Sequence, residues 1–319
     1  MRFRTAIDDM AQEPEGRTRA DARCGVVALV GAPNAGKSTL LNAFVGTKVS
    51  IVTPKVQTTR ARVIGVAVEG CAQFIFVDTP GIFFPRRRLE RAMVDAAWSG
   101  AHDADAVVLL VDSRRPTDTD DDDTARVVRG LAEADLTTVL ALNKIDLVEK
   151  SKLLALSGAL NGSGAFRETF MISALSGDGV GDLRNFLTGT LPEGPWLYPE
   201  DQVAVMPMRL LAAETTREKL FMQLHQELPY HLTVETEGWE ERPDGSVKID
   251  QMIYVSRNTH KGIVLGKGGK LIKSVGSASR IELENAMQRR VHLFLHVKVR
   301  EGWLDEPARY QEMGLEFPN

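Results

Sequence analysis

The chain has 319 residues, enough for two domains of ordinary size, with 43% hydrophobic and 26% charged residues and a formal net charge of −4. That balance excludes a disordered chain and carries no global polyanion-binding signature, while two cysteines, Cys24 and Cys71, rule out a disulfide framework and point to the reducing cytoplasm. No apolar run approaches the roughly 18 residues that a membrane span needs.

Residues 1–22 read as a polar, flexible arm, in which Asp8, Asp9, Glu13 and Glu15 spoil any targeting pattern. The apolar run Val26–Val30 then predicts a buried parallel strand. It leads into Gly31-Ala32-Pro33-Asn34-Ala35-Gly36-Lys37-Ser38-Thr39 and a helical pattern through Leu40, Leu41, Phe44 and Val45. This is GxxxxGKS between a strand and a helix, the context in which the motif cradles phosphate. Gly31 and Gly36 let the backbone N–H groups through Ala35 converge on phosphate oxygens, and the helix N-terminus adds its positive end. Lys37 supplies charge to the β- and γ-phosphates, and Ser38 offers a hydroxyl to Mg²⁺.

Polar, aperiodic residues 50–60 precede two predicted strands, 63–68 and 72–77, the second ending in Asp78-Thr79-Pro80-Gly81-Ile82. One strand after a phosphate loop, DTPG places Asp78 to hold Mg²⁺ through water and the Gly81 N–H to sense the γ-phosphate. A basic loop with Arg86, Arg87 and Arg88 leads to a helix over 89–100 and a strand over 106–111. The acidic tract 118–123 is a metal candidate in type, but it reads better as a solvated loop and helix start. A helix over 124–133 and a strand over 138–142 follow, and the strand runs into Asn143-Lys144-Ile145-Asp146. A helix over 150–160, a strand over 168–172 that ends in Ser173-Ala174-Leu175, and a helix over 180–189 complete the unit. Strand and helix alternate, so residues 23–191 predict a P-loop α/β fold with a doubly wound, mostly parallel sheet. Its suggestive tetrads lie past the carboxyl ends of strands.

NKID is either a helix N-cap or a base reader. After GKS and DTPG the second reading prevails. A carboxylate at Asp146 accepts from the ring N–H and exocyclic amine of guanine, a pattern that adenine does not present. Asn143 ties the base or the phosphate loop in place, the Lys144 stem covers one face of the ring, and Ser173-Ala174 brings a backbone N–H to the base oxygen.

Proline-rich residues 192–209 predict a linker. Beyond it, a helix over 216–227, strands over 231–240 and 247–256, a helix over 270–288 and a strand over 291–299 predict a smaller α+β domain over 210–300, with a tail from 301 to 319. Gly266-Lys267-Gly268-Gly269 between two helices is the GxxG loop of a type II KH domain, which clamps single-stranded RNA, with Lys270 and Lys273 adding charge beside it. Residues 217–300 carry a net charge of +4 against −8 for the rest of the chain, so the basic character is local to this domain. His292 and His296 share one side of the last strand; two histidines are too few for a structural zinc site, which leaves packing or RNA contact.

GAPNAGKS, QTTR, DTPGI, NKID and SAL, in this order, resemble a translation-factor-type GTPase of the Era family over about residues 25–300. The resemblance implies GTP/GDP and Mg²⁺ as ligands, with Thr59 or its neighbour Thr58 reaching the metal and the γ-phosphate. It implies binding near the 3′ end of small-subunit ribosomal RNA, a role in maturation of the small ribosomal subunit, and a monomer touching the inner membrane peripherally. Many GTPases carry a water-orienting glutamine after DxxG; here Ile82 stands there, similar to the family, whose members carry an apolar residue at that position. By likeness to related GTPases, Asn34 then helps bind a K⁺ ion at the catalytic centre. Phe83-Phe84-Pro85 departs from the family's usual residues after the tetrad. Two rival functions are an RNA chaperone with a slowly hydrolysing, regulatory guanine-nucleotide site, and a P-loop kinase or ATPase that uses RNA as a platform.

Overall fold

A computed structural model describes residues 21–114, 122–134, 136, 138–162, 165–200, 202–204 and 207–318. The arm 1–20 and most of the acidic tract 118–123 lie outside the described residues. Contacts divide the chain into two compact units: Met1–Ser50, Thr59–Val205 and Tyr310–Asn319 form the first, and Ile51–Thr58 with Met206–Arg309 the second.

The first unit alternates as its hydrophobic runs dictate: β1 (Arg23–Val30), α1 (Lys37–Val45), β2 (Val63–Glu69), β3 (Ala72–Asp78), α2 (Arg88–His102), β4 (Ala106–Asp112), α3 (Asp123–Glu133), β5 (Thr138–Asn143), α4 (Lys150–Asn161), β6 (Glu168–Ile172) and α5 (Val180–Thr190). Its strands order β2-β3-β1-β4-β5-β6, and all neighbours pair in parallel except β2 with β3. Strands β3, β4 and β5 are buried along their whole length, which is why they read as continuous apolar runs rather than alternating ones. One face packs Ala28, Leu109 and Leu140 against Ala97 and Ala101 of α2 and Val127 and Leu131 of α3. On α1, Phe44 stacks on Phe76 of β3 with centroids 4.4 Å apart, a buried pair whose loss by Phe44→Ala costs about 3–5 kcal/mol in comparable cores.

The stretch that reads as a linker is pinned to this unit through Ala204. Gln73 on β3 is fully buried; its Oε1 accepts the N–H groups of Leu197 and Tyr198 at 2.9 and 3.0 Å, and its Nε2 donates to the Tyr198 carbonyl at 2.7 Å. The Val66 N–H donates to Val203, and Gly65 bridges Ala204. The buried Gln73 amide and the backbone contacts of Val203 and Ala204 with β2 thus make a proline-rich tract part of the sheet edge.

The second unit contains α6 (Met208–Gln223), β7 (Leu232–Glu241), β8 (Val247–Val255), α7 (Asn258–Leu265), α8 (Lys270–Met287) and β9 (Val291–Val299). Its sheet orders β7-β8-β9, antiparallel between β7 and β8 and parallel between β8 and β9. Helix α6 begins eight residues before the expected start. The face it buries there carries Ala212, Ala213 and Thr215 rather than bulky apolar residues, so the helical period is muted in the sequence. Leu220, Leu224, Ile253, Val255, Val264 and Val275 form the core beneath the helices. The tail is divided: the buried Trp303 donates its Nε1–H to Ser256 in the second unit, whereas Tyr310 and Phe317 stack edge-on within the first, where Arg88 lies over Phe317. The short α9 (Pro307–Glu312) connects them.

Candidate nucleotide site and candidate RNA loop

The first unit gathers its polar residues at the carboxyl ends of β1, β3, β4, β5 and β6, where a doubly wound sheet leaves a crevice. Gly36 ends the loop after β1 with φ 102°, a left-handed conformation that strains any other residue. A Cβ there would lie 2.2 Å from Asn143 Nδ2, so glycine is required twice over. No side chain caps α1, and its first-turn N–H groups are left for an anion. Lys37 is buried and donates to the carbonyls of Gly31 and Ala32, both at 3.1 Å. Burial pushes its ammonium down to about 8, although Asp78 nearby pulls the other way.

Asp78 ends β3 fully buried. Its Oδ2 accepts from Ser38 at 2.6 Å, Ser50 at 2.9 Å and Thr59 at 3.5 Å, while its Oδ1 is buried with no hydrogen-bond partner. Burial raises the carboxyl above its usual value, against the three hydroxyls and Lys37, which lower it. A carboxylate with one orphaned oxygen among three hydroxyls has the hard-oxygen donor set that suits Mg²⁺, so the residues present fit that ion. Thr59 stands here with its hydroxyl 2.9 Å from Ser38. The Thr58 hydroxyl is committed elsewhere, to Thr53 at 2.6 Å and the Lys55 carbonyl at 2.7 Å. Ser50 is a member that sequence reading missed. It is set in place by Asn42, whose Oδ1 accepts the Val49 and Ser50 N–H groups and whose Nδ2 donates to the Ser50 carbonyl, all at 2.9 Å. No motif marks it; the signal was only its place at the start of the polar stretch that leads to the threonine pair.

Gly81 lies against Pro33 of the phosphate loop, with room for no side chain: a Cβ would come within 2.9 Å of the Pro33 nitrogen. The Ile82 N–H donates to Gly31 at 3.0 Å, and its side chain is buried. Asn34 holds a left-handed φ of 65° at the loop's crest.

The NKID stretch is cross-tied. Asn143 Nδ2 donates to the Ala35 carbonyl at 2.8 Å, and its Oδ1 accepts the Lys144 N–H at 2.8 Å and the Ala174 N–H at 2.9 Å. The Ala174 donor expected to meet the base oxygen is therefore already directed at Asn143. Ser173 is buried beside it and accepts the Ser176 N–H. Lys144, itself left-handed at φ 68°, sends its ammonium to the Asn34 carbonyl and to Asp112 Oδ2, each at 2.7 Å. Asp112, at the end of β4, also accepts from the Arg114 guanidinium at 2.7 and 3.0 Å. Burial pushes its carboxyl up, but the bonds from Arg114 and Lys144 prevail and hold it well below the usual carboxylate range. Sequence reading missed Asp112 as well, because it closes an apolar strand and belongs to no tetrad. Asp146 is exposed at the rim, and Thr39 lies in the first turn of α1.

In the second unit, Lys267–Gly269 form a single tight turn between α7 and α8. Gly266, Gly268 and Gly269 all have left-handed φ, and at Gly268 and Gly269 a Cβ would meet nothing within 4 Å. The main chain there is open to close approach by a ligand. Lys267, Lys270 and Lys273 are exposed around it. His292 and His296 do fall on one face of β9, and no cluster of three metal-binding side chains occurs among the described residues.

Two family models match: a 50S ribosome-binding GTPase over residues 26–144 and a KH domain over residues 227–304. Among similar proteins are GTPase Era of Rhizobium meliloti (strain 1021), 56% identical over 98% of this chain and 100% of its own length, and GTPase Era of Dinoroseobacter shibae, 60% identical over 93% and 97%. A crystal structure of a variant of Aquifex aeolicus Era bound to GDP·AlF4⁻ superimposes with a TM-score of 0.85 at 36% identity, covering 92% of this chain and 99% of that one. An Era complex with MgGDPNP and nucleotides 1506–1542 of 16S ribosomal RNA matches equally well.

Proposed function

Because this chain belongs to the Era family of GTPases, we propose that it hydrolyses GTP at the carboxyl edge of the first sheet and grips the 3′ region of small-subunit ribosomal RNA with its KH loop during subunit maturation. The single observation that carries this reading is the Asn143 side chain, which fastens the phosphate loop at Ala35 to the base-reading loops at Lys144 and Ala174. A site built this way recognises a phosphate chain and a purine as one ligand.

The roles follow from the geometry. The backbone of Asn34–Lys37 and the start of α1 wrap the phosphates, and Lys37 neutralises them. Ser38, Thr59 and Asp78 would hold Mg²⁺, which supplies charge neutralisation to the transferring phosphoryl group when bound. The Thr59 hydroxyl and the Gly81 N–H would meet the γ-phosphate, so the two switch loops report whether it is present. Asp146 chooses guanine. Ile82 has no group with which to orient water; by likeness to related GTPases, Asn34 would help hold a K⁺ ion, which would stabilise the developing charge. If so, turnover in K⁺ exceeds that in Na⁺ several-fold and Asn34→Ala erases the difference; equal rates in both salts refute the assignment.

The placement is a cytoplasmic monomer. No described helix is long and apolar enough to cross a membrane, and the peripheral inner-membrane contact belongs to the same proposal, tested by flotation with anionic vesicles. The central experiment measures RNA affinity with GTP, with GDP and without nucleotide. The switch reading requires that these differ and that RNA shift nucleotide affinity by the same factor; three equal affinities reject it. Ile82 favours one further reading, a regulatory site that barely turns over, and multiple-turnover phosphate release with and without ribosomal subunits separates the two.

A further inference from the structure

Strand β9 is one edge of the second sheet, and its sequence alternates strictly. Leu293, Leu295 and Val297 point into the helices, packed with Met287, Leu271 and Val275 in the two core clusters of this unit. His292, Phe294, His296 and Lys298 share the opposite face. That outward row holds no acidic residue, and neither does the rest of the stretch from Val291 to Arg300. Phe294 is 46% exposed at its centre. Its register partner on β8 is Asp250, whose neighbour Lys248 lies opposite His292; the Lys248 ammonium sits 5.6 Å from the Phe294 ring centroid and 2.9 Å from the Asp250 carboxylate.

The same face is acidic on its far side and closed at one end. Glu235 pairs with Arg309, and Glu237 accepts from the Tyr254 hydroxyl at 2.6 Å. Arg300 and Arg309 both lie over Tyr254, and Arg300 also pairs with Glu306 at 2.7 Å. What stays open is the strip along β9: an aromatic ring flanked by two imidazoles, the Lys298 ammonium and the Lys248–Asp250 ion pair. An accessible ring among cations is how proteins hold unpaired bases, with the base stacked on the ring and its phosphates met by charge.

We propose that this outward strip of β9 is a second RNA-contacting surface, on the face of the sheet opposite the helices that carry the GKGG loop. One base stacks on Phe294, and Lys298 meets a flanking phosphate. The occupant is single-stranded RNA continuing from the segment held by the loop, since an edge strand lets one strand of RNA pass from the helical face to the outer one. The negative charge along β7 confines it to the β9 side. The proposal rests on the reading of the GKGG loop as an RNA clamp.

The test uses the full chain and two fluorescein-labelled RNAs from the 3′ end of small-subunit ribosomal RNA: one of about four nucleotides, the length a KH clamp spans, and one about three times longer. Phe294→Ala is expected to weaken the longer RNA about 10-fold, the equivalent of one lost stacking contact, and to leave the shorter unchanged. Phe294→Tyr should restore the long-RNA affinity. Lys298→Ala should lower the salt dependence by about one counterion, for the longer RNA alone. Equal losses on both RNAs would mean a disturbed fold and overturn the proposal. Unchanged binding of both overturns it too, and leaves the strip to a protein partner. Failure of the unaltered chain to bind either RNA removes the clamp itself, an outcome distinct from loss of the second surface alone.

Discussion

The two ligand-facing regions are built on opposite plans. In the nucleotide site nearly every polar atom is already engaged: Asn143 makes three bonds, Lys144 two and Asp78 Oδ2 three, around a buried lysine. The GKGG turn is bare by contrast, three glycines with left-handed φ and exposed lysines, with open space at Gly268 and Gly269. A pre-tied site rejects wrong ligands because they strand buried groups. An open loop gains affinity from close backbone approach and charge, which tolerates many sequences. Selectivity should thus reside in the first unit and salt sensitivity in the second.

That contrast can be broken most sharply at Asp146. Asp146→Asn should weaken GTP and GDP by at least about 100-fold and leave the melting temperature unchanged, since the residue is exposed; competition titrations with GDP and ATP check it. Next comes Asp112→Asn, which frees the Lys144 ammonium from its carboxylate partner. It should speed GDP release about 10-fold, read by displacement of a fluorescent nucleotide, and combine less than additively with Lys144→Ala because both act through one bond. In the second unit, Lys267→Ala with Lys270→Ala should weaken RNA about 10-fold, lower the salt slope by about two and leave GDP affinity unaltered.

A smaller effect should follow from pH. Lys37 is pushed down to about 8 by burial. Phosphates favour its charged form, so affinity is full below about pH 8. Above it the free protein has lost the proton that binding must restore, and affinity falls by at most 10-fold per pH unit. Calorimetry of GDP from pH 6.5 to 9.5, in buffers of differing ionisation heat, should show proton uptake only at the alkaline end. Flat affinity across the range would place Lys37 at an ordinary value. The subtlest change is Ser50→Ala, which removes one of three hydroxyls on Asp78 Oδ2 and should raise the Mg²⁺ needed for half-maximal binding about 3-fold, a shift of under 1 kcal/mol.

Legibility followed the same division. Strands β3, β4 and β5 and the tetrads at the ends of β3 and β5 could be read directly, because buried strands are unbroken apolar runs and phosphate loops demand fixed residue types at fixed spacings. The GKGG loop was equally plain. What escaped acts through space instead of along the chain. Asp112 closes a strand like any other, Ser50 and Asn42 form a bracket that only folding reveals, and Gln73 fastens a proline-rich tract from more than 120 residues away. Thr58 and Thr59 are indistinguishable as letters; the hydroxyl network separates them. The start of α6 was hidden because its buried side is small or polar, and the tail because its three aromatic anchors are divided between the two units.

The division of labour between Asn143 and Asp146 bears on how such a protein can change. Position 143 is a keystone: altering it would loosen three loops together, so drift there ends in collapse instead of a new preference. Position 146 juts from the rim with no architectural duty in the surrounding loops. An evolving or engineered lineage could therefore retune which nucleobase it accepts by editing that one side chain, while the frame that grasps the triphosphate stays intact.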